Sequence, residues 1–493
     1  MSLVVRWRIW GPAFGLCSLA MLEAGCAVGP DYRRPTTVAA PAAFKEGAPP
    51  AAALPGGGEW KPAQPSDGAL RGKWWELYGD PRLDALEEKV AISNQTLKAA
   101  AAQYLAATAQ VRVARASLYP RLSAGPSVTH TRESENQPNT VRGVTHFDFN
   151  TFVLEGQVTW EPDLWGQVRR TVEQARSSAE ASAADLANVE LSIRAELAMD
   201  YLELRGLDTQ QALLANTVAS DADYLQLTQV RFRGGVGTEV DVAQAETQYQ
   251  SVKAQATDLG VTRAHYEHAI ATLIGVPAST FSLPPIPLDL VPPAVPAGVP
   301  ARLLERRPDI AGAERRVAAA NAGIGIAIAG YYPDITLGAT GGWESGALAT
   351  WFEVPSLLWS LGASALETIF DAGRRHALTD QARDTYEAEV ADYRQSVLGA
   401  FQEVEDNLAA LRILGEEAVT ERAAVDAAHR SLSISTKRYR GGVTTYLEVL
   451  TAQTAQLANE RTQADITTRQ CVASVALIKA LGGGWDTTQA PGH

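Results

Sequence analysis

The sequence predicts a mainly α-helical chain with paired β-strands, built twice over, whose strands can close a β-barrel only when several copies assemble. Three observations predict it. One stretch of the chain recurs 207 positions later, two proline-free stretches are long enough for very long helices, and segments of about ten residues alternate apolar with polar. Hydrophobic residues make up 46% of the 493, which excludes a disordered chain. With 20% charged residues and a mean hydropathy of -0.10, a polytopic helical membrane protein is disfavoured. A net charge of -13 argues against a nucleic-acid partner, because binding phosphates needs a basic face. Cys17, Cys26 and Cys471 are too few and too scattered for a disulfide framework or a zinc cluster. Met1, Met21 and Met199 offer no soft-metal site.

Taken in order, residues 1–25 read as an export signal: Arg6 and Arg8 precede an apolar run that ends in small residues. The run is too short and interrupted for a spanning helix, which needs about 20 apolar residues. Leu22-Glu23-Ala24-Gly25-Cys26 resembles a lipobox, in which Cys26 becomes the first mature residue and carries acyl chains, palmitate included. Glu23 occupies the usual leucine place, and the alternative is an ordinary cysteine beyond a simple cleavage site. Acylation would contribute about 0.8 kcal/mol per buried methylene. Residues 26–82 then form an anchor and lead-in segment, rich in Ala, Pro and Gly between Tyr32 and Pro65. Cys471 lies in a helical stretch and reads as a small core residue rather than a reactive thiol.

The first repeat is expected over 83–275 and the second over 303–482, joined by a proline-rich connector (276–302) and followed by a tail (483–493). Arg231-Phe232-Arg233-Gly234-Gly235-Val236 answers to Arg438-Tyr439-Arg440-Gly441-Gly442-Val443, and Gln174-Ala175-Arg176 to Gln381-Ala382-Arg383. Tyr331-Tyr332-Pro333 likewise mirrors Leu118-Tyr119-Pro120. A period this long signals duplication of a whole domain. Each half reads helix, two strands, long helix, return helix. The first helix is expected unbroken over 84–117, with its counterpart over 310–330. Phe152, Leu154, Val158 and Trp160 alternate with Glu155, Gln157, Thr159 and Glu161, as Ile335, Leu337, Ala339 and Trp343 do with Thr336, Thr340 and Glu344. Residues 118–131 and 357–370 complete two hairpins. Their length suits tilted outer-membrane strands, and Trp160, Trp343 and Trp359 suit an interfacial girdle. A half-buried soluble sheet is the alternative on pattern alone.

Long helices are expected over 168–232 and 374–439, each a rod of roughly 95 Å at 1.5 Å per residue. Such a rod needs coiled-coil-like neighbours for its apolar stripe. The Gly-Gly pairs break these helices, and return helices run over 240–274 and 447–481. Four strands cannot close a barrel, and an open sheet edge is intolerable in lipid, so the chain must oligomerise.

Cys26-Ala27-Val28-Gly29-Pro30-Asp31-Tyr32, the connector from Leu283-Pro284-Pro285, Leu304-Glu305-Arg306-Arg307-Pro308-Asp309-Ile310 with Ala313-Glu314-Arg315, and the paired Gly-Val turns together carry a resemblance. The chain resembles the TolC-like outer-membrane factors, lipoprotein subgroup, over essentially its whole mature length. The resemblance implies a homotrimer with a twelve-stranded barrel set in outer-membrane lipid and a twelve-helix tunnel across the periplasm. It implies passive export of drugs, solvents or metal ions delivered by an inner-membrane RND-type pump through a periplasmic adaptor, with no enzyme activity and no cofactor. It also implies a periplasmic gate whose acidic positions fall on Asp241 and Glu448, while Tyr439 matches a latch tyrosine. A second acidic position is Thr451 here and a basic latch position is Thr444, so fewer acidic rings are expected; Arg440 or Arg233 would be the substitutes for the missing base. The turns Gly234-Gly235-Val236 and Gly441-Gly442-Val443 would be gripped by the adaptor. No nucleophile triad, phosphate loop or metal-ligand spacing appears in the sequence. Two alternatives share parts of the pattern: a type I secretion exit duct, and a lipid-tethered periplasmic coiled-coil scaffold without a pore.

Overall fold

The computed structural model describes residues 27–36, 38–41, 43–46, 72–132, 134, 148–289, 291–293 and 306–483. The expected signal peptide, the expected lipidation site Cys26 and the tail from residue 484 lie outside the described residues, as do parts of the lead-in and connector. The order is α1 (Pro81–Ser93), α2 (Gln95–Ala116), β1 (Arg121–Arg132), β2 (Asp148–Trp160), α3 (Gln167–Arg233), α4 (Glu239–Leu273), α5 (Pro308–Ala329), β3 (Asp334–Ser345), β4 (Leu357–Leu366), α6 (Arg374–Arg440) and α7 (Tyr446–Ala480). The halves match in length: α2 and α5 have 22 residues, α3 and α6 have 67, α4 and α7 have 35. Among the described residues no helix is long and apolar enough to cross a membrane.

The helix expected to run unbroken over 84–117 is two helices. Asn94, extended at φ -62 and ψ 125, separates them. Its side chain does two jobs that a continuing helix would forbid: Oδ1 accepts from Leu97 N–H at 2.8 Å, and Nδ2 donates to the Leu273 carbonyl at the end of α4, at 2.7 Å. The first is an N-cap, where Asn is among the best residues. Strands β1 and β4 are also shorter than expected, β1 starting only at Arg121 and β4 ending at Leu366. Residues 117–119 close α2 with turn hydrogen bonds, and the segment after Leu366 is gathered by Arg375, which donates to Glu367 Oε1, the Thr368 carbonyl and Asp371 Oδ2.

The chain divides into two compact units, each drawing on both halves of the repeat. One comprises the described residues among those up to Pro35, Tyr104–Ala181 and Ala313–Asp392. Its strands form one antiparallel sheet in the order β1-β2-β3-β4, so the two hairpins pair with each other through β2 and β3, with Leu154 opposite Trp343. In β2, Glu155, Gln157 and Thr159 are exposed while Leu154, Val158 and Trp160 are half-buried, the expected alternation. The flanking strands β1 and β4 are exposed nearly throughout, leaving Leu122, Val128, Trp359 and Leu361 in the open. Below the strands, residues 28–32 are strapped down. The buried Arg170 guanidinium donates to the Val28 and Gly29 carbonyls and to Asp31 Oδ1, and Tyr32 donates to Glu314. Gly29 (φ +94) passes so close to α5 that a β-carbon there would come 2.5 Å from the Gly325 Cα.

The other unit comprises the described residues of Thr36–Gln103, of Ser182–Gly312 and from Tyr393 on. Its core packs Trp74, Trp75 and Tyr78 with Leu83, Leu86 and Val90 of α1 against Leu197, Tyr201 and Leu204 of α3, Ile270 of α4, and Cys471, Val475 and Ile478 of α7. Cys471 is fully buried, as its small-core reading required, and burial pushes its thiol up to about 12. Such a thiol stays protonated and inert. The connector opens with a 3-10 turn (Ala278–Thr280), and the described residues after it lack regular structure but are held in place. Asp208, fully buried between Arg205 (2.9 Å) and Arg263 (2.7 Å), accepts from Ile286 N–H, and Arg205 donates to the Pro284 carbonyl.

Candidate functional site: the paired helical turns

Both turns stop a 67-residue helix in the same way. The Gly235 N–H donates to the Phe232 carbonyl and the Val236 N–H to Arg231, each at 3.0 Å; Gly442 and Val443 do the same to Tyr439 and Arg438, at 3.0 and 2.9 Å. This is the Schellman arrangement, which satisfies the last helical carbonyls and needs a left-handed residue. Gly235 and Gly442 supply it, at φ +74 and +71. Gly234 and Gly441 are exposed beside them, and Val236 and Val443 are each 71% exposed.

Past the glycines the two turns differ. Thr238 caps α4 in a reciprocal capping box: Asp241 N–H donates to Thr238 Oγ1 at 3.2 Å, and Asp241 Oδ2 accepts from Thr238 N–H and Oγ1 at 3.2 and 2.9 Å. Thr445 makes no side-chain cap on α7. The matching acid, Glu448, instead forms a half-exposed ion pair with Arg438 at 3.3 Å. The two expected gate carboxylates therefore have different partners, one in its own helix cap and one across its turn. Thr451 Oγ1 donates back to the Leu447 carbonyl, and Thr444 is half-buried in the turn.

Tyr439 lies at the centre of a small cluster with Ala245, Tyr446 and Val449, only 3% exposed. Its ring centroid is 5.7 Å from that of Tyr446, which in turn lies 6.2 Å from Tyr224. The Arg231 guanidinium sits 4.7 Å over the Tyr439 ring, and Nη1 donates to the Tyr439 carbonyl at 2.8 Å. One hairpin is thus tied to the other through a cation–π contact and a charge-assisted hydrogen bond. Burial raises the Tyr439 phenol above its ordinary range. Sequence reasoning named Arg233 and Arg440 as stand-ins for the missing base and overlooked Arg231 and Arg438. Arg233 is engaged with its own helix, donating to the Gln229 carbonyl. The overlooked pair carried a signal, since it opens both copies of the repeated motif.

A second group was also missed. Leu214, Val218, Asp221, Leu225 and Thr228 follow a four-three spacing along α3, which places an acid in the apolar seam. Asp221 is fully buried, and its Oδ1 accepts from Gln453 Nε2 on α7.

With this geometry in view, the comparisons with known proteins assign a class. The model of the outer membrane efflux protein family matches residues 86–276 and 299–483, and the chain belongs to that family. Among its relatives, the toluene efflux pump outer membrane protein TtgF of Pseudomonas putida is 32% identical over 475 residues, covering 95% of this chain and 96% of the relative. The pyoverdine export outer membrane protein OpmQ of Pseudomonas aeruginosa is 31% identical over 425 residues, covering 86% and 89%. Among solved structures, the outer-membrane channel OprN superposes with a TM-score of 0.83 at 31% identity, covering 93% of this chain and all of that one. The outer membrane protein VceC of Vibrio cholerae gives 0.77 at 29% identity, covering 84% and 99%. The fold is that of TolC-like outer-membrane channels, mostly helical with a modest sheet.

Proposed function

We propose that this chain is the outer-membrane duct of a tripartite efflux pump, a passive homotrimer exporting small molecules passed to it by an inner-membrane RND-type pump and a periplasmic adaptor. The observation that carries the reading is the four-stranded sheet, whose flanking strands β1 and β4 have no partner on their outer edges among the described residues and leave apolar side chains exposed. Such edges are intolerable in lipid unless further copies pair with them. Three copies supply twelve strands for a barrel and twelve long and return helices for a tunnel. Relatives named for toluene efflux and pyoverdine export support small molecules as cargo.

The turns form the periplasmic end of the duct. Asp241, Glu448 and Tyr439 belong to its constriction, and the exposed Gly-Gly-Val tips face the adaptor. Cys26 carries the lipid anchor that leads into the strapped segment 28–32. The purified protein should run as a trimer by native mass measurement and conduct in planar bilayers. A monomeric, electrically silent protein would sink the reading. Replacing Asp241 and Glu448 together by Ala should lower the cation preference of single channels, and unchanged selectivity would place the constriction elsewhere.

A further inference from the structure

We propose that Asp221 and Gln453 form a proton-dependent latch inside each protomer: with one proton the pair holds α3 to α7, and without it the turn-bearing end of the helices loosens. Asp221 is 0% exposed and Gln453 4% exposed in a single chain, so their burial needs no partner copy. One hydrogen bond joins them, from Gln453 Nε2 to Asp221 Oδ1. The other arm of each group, Asp221 Oδ2 and Gln453 Oε1, is a buried acceptor with no donor. Buried acceptors left unpaired are costly. A single proton on Oδ2, donated to Oε1, would satisfy both atoms and complete a two-armed acid–amide pair.

The surroundings favour the neutral acid. Gln248 of α4 and Gln453 of α7 face the carboxyl, and the Tyr446 phenol of α7 lies close enough to feel its charge. Tyr224, one turn along α3, ties its hydroxyl to Thr436 of α6 at 2.8 Å, and Leu432 of α6 packs into the same cluster. A contact between His429 Nε2 of α6 and Glu460 Oε1 of α7 (3.1 Å) stands nearby, with Glu460 lining the same cavity as Gln453. Burial is the largest influence on Asp221. It pushes the carboxyl up from 3.8 to about 6, against the pull of the Gln453 hydrogen bond and of the Gln248 amide nearby. The second half of the repeat shows that the seam packs without an acid, because the position matching Asp221 is Ala428, also buried.

The sign follows from the raised value. The closed packing binds the proton more tightly than an opened, hydrated carboxyl does. The latch is therefore strongest in acid and is lost as pH rises through about 6. Between pH 5 and 7.5 the open-to-closed ratio should rise about tenfold. Any consequence for a gate rests on the duct reading; the latch itself does not.

The test is amide hydrogen exchange on the full-length protein in detergent, corrected for the intrinsic pH dependence and read over residues 217–225 and 449–456. The wild type should open about tenfold more at pH 7.5 than at pH 5. D221N, which keeps the shape as a permanently neutral amide, should lose that slope and stay protected throughout. Q453E, with two carboxyls sharing one proton, should move the midpoint upward. H429Q, which alters the nearby contact with Glu460 and leaves the Asp221–Gln453 pair intact, is the control and must leave the slope in place. Should D221N fail to assemble, D221A, which copies the alanine of the other half, must also abolish the slope. A wild type without a slope, or a slope that survives in D221N or D221A, overturns the latch. Single-channel conductance tests the duct separately: a silent protein with pH-dependent exchange would remove the duct and leave the latch standing.

Discussion

The two turns come from one duplicated motif, share their glycines and their Schellman hydrogen bonds, and differ in almost every side-chain contact. In the first, Phe232 is 45% exposed and Asp241 closes a capping box; in the second, Tyr439 is 3% exposed and Glu448 reaches Arg438. The backbone of a helix stop is fixed locally, so duplication preserved it. The side chains meet different neighbours, because the first turn contributes Arg231 to the second and, among the described residues, receives no matching arginine contact in return. A repeat can keep its architecture while its two copies divide the work, one as a self-contained cap and the other as a joint between hairpins.

The largest expected difference breaks this comparison most directly. Tyr439→Ala should lower the local opening free energy of the turn end by about 3–5 kcal/mol, as for other buried aromatic truncations. The matching Phe232→Ala should cost under about 1 kcal/mol. Site-resolved amide exchange over 432–450 and 225–243 measures both, and equal costs would undo the assigned asymmetry. Gly235→Ala and Gly442→Ala should be alike, each costing about 1–2 kcal/mol because both glycines sit at positive φ. A marked inequality there would mean that the backbone, too, has diverged.

Smaller effects sharpen the picture. Thr238→Ala removes a side-chain cap and should cost about 1 kcal/mol, whereas Thr445→Ala, which removes none, should be close to neutral. Smallest is Glu448→Gln. Its pair with Arg438 is half-exposed, so the loss should stay below about 1 kcal/mol and fade in high salt. A loss that persists in high salt would show that the pair is shielded from solvent in the assembled protein.

Much of this architecture was legible in advance, and the exceptions share a cause. The ends of α3, α4, α6 and α7 fall within a residue or so of expectation, since proline-free runs and a double glycine decide them. Asn94 interrupts a stretch of good helix formers because its side chain finds the end of α4, a partner about 180 residues away. Asp221 looked like one more acid on a charged helix. Only its four-three spacing with Leu214, Val218 and Leu225 marked it, and that spacing does not say that an amide waits on α7. Arg231 and Arg438 were visible as repeated residues but not as the partners of Tyr439 and Glu448.

By itself the sequence determined the duplication, the helix lengths, the helix stops and the alternating strands, because propensity, period and the left-handed glycine act over a few neighbouring residues. Tertiary structure alone decided which acid caps and which one bridges, which arginine covers the tyrosine, and where a carboxyl is buried with one oxygen left without a donor. Those outcomes depend on side chains that meet only when distant helices pack, and two copies of one motif packed in different surroundings cannot keep the same contacts.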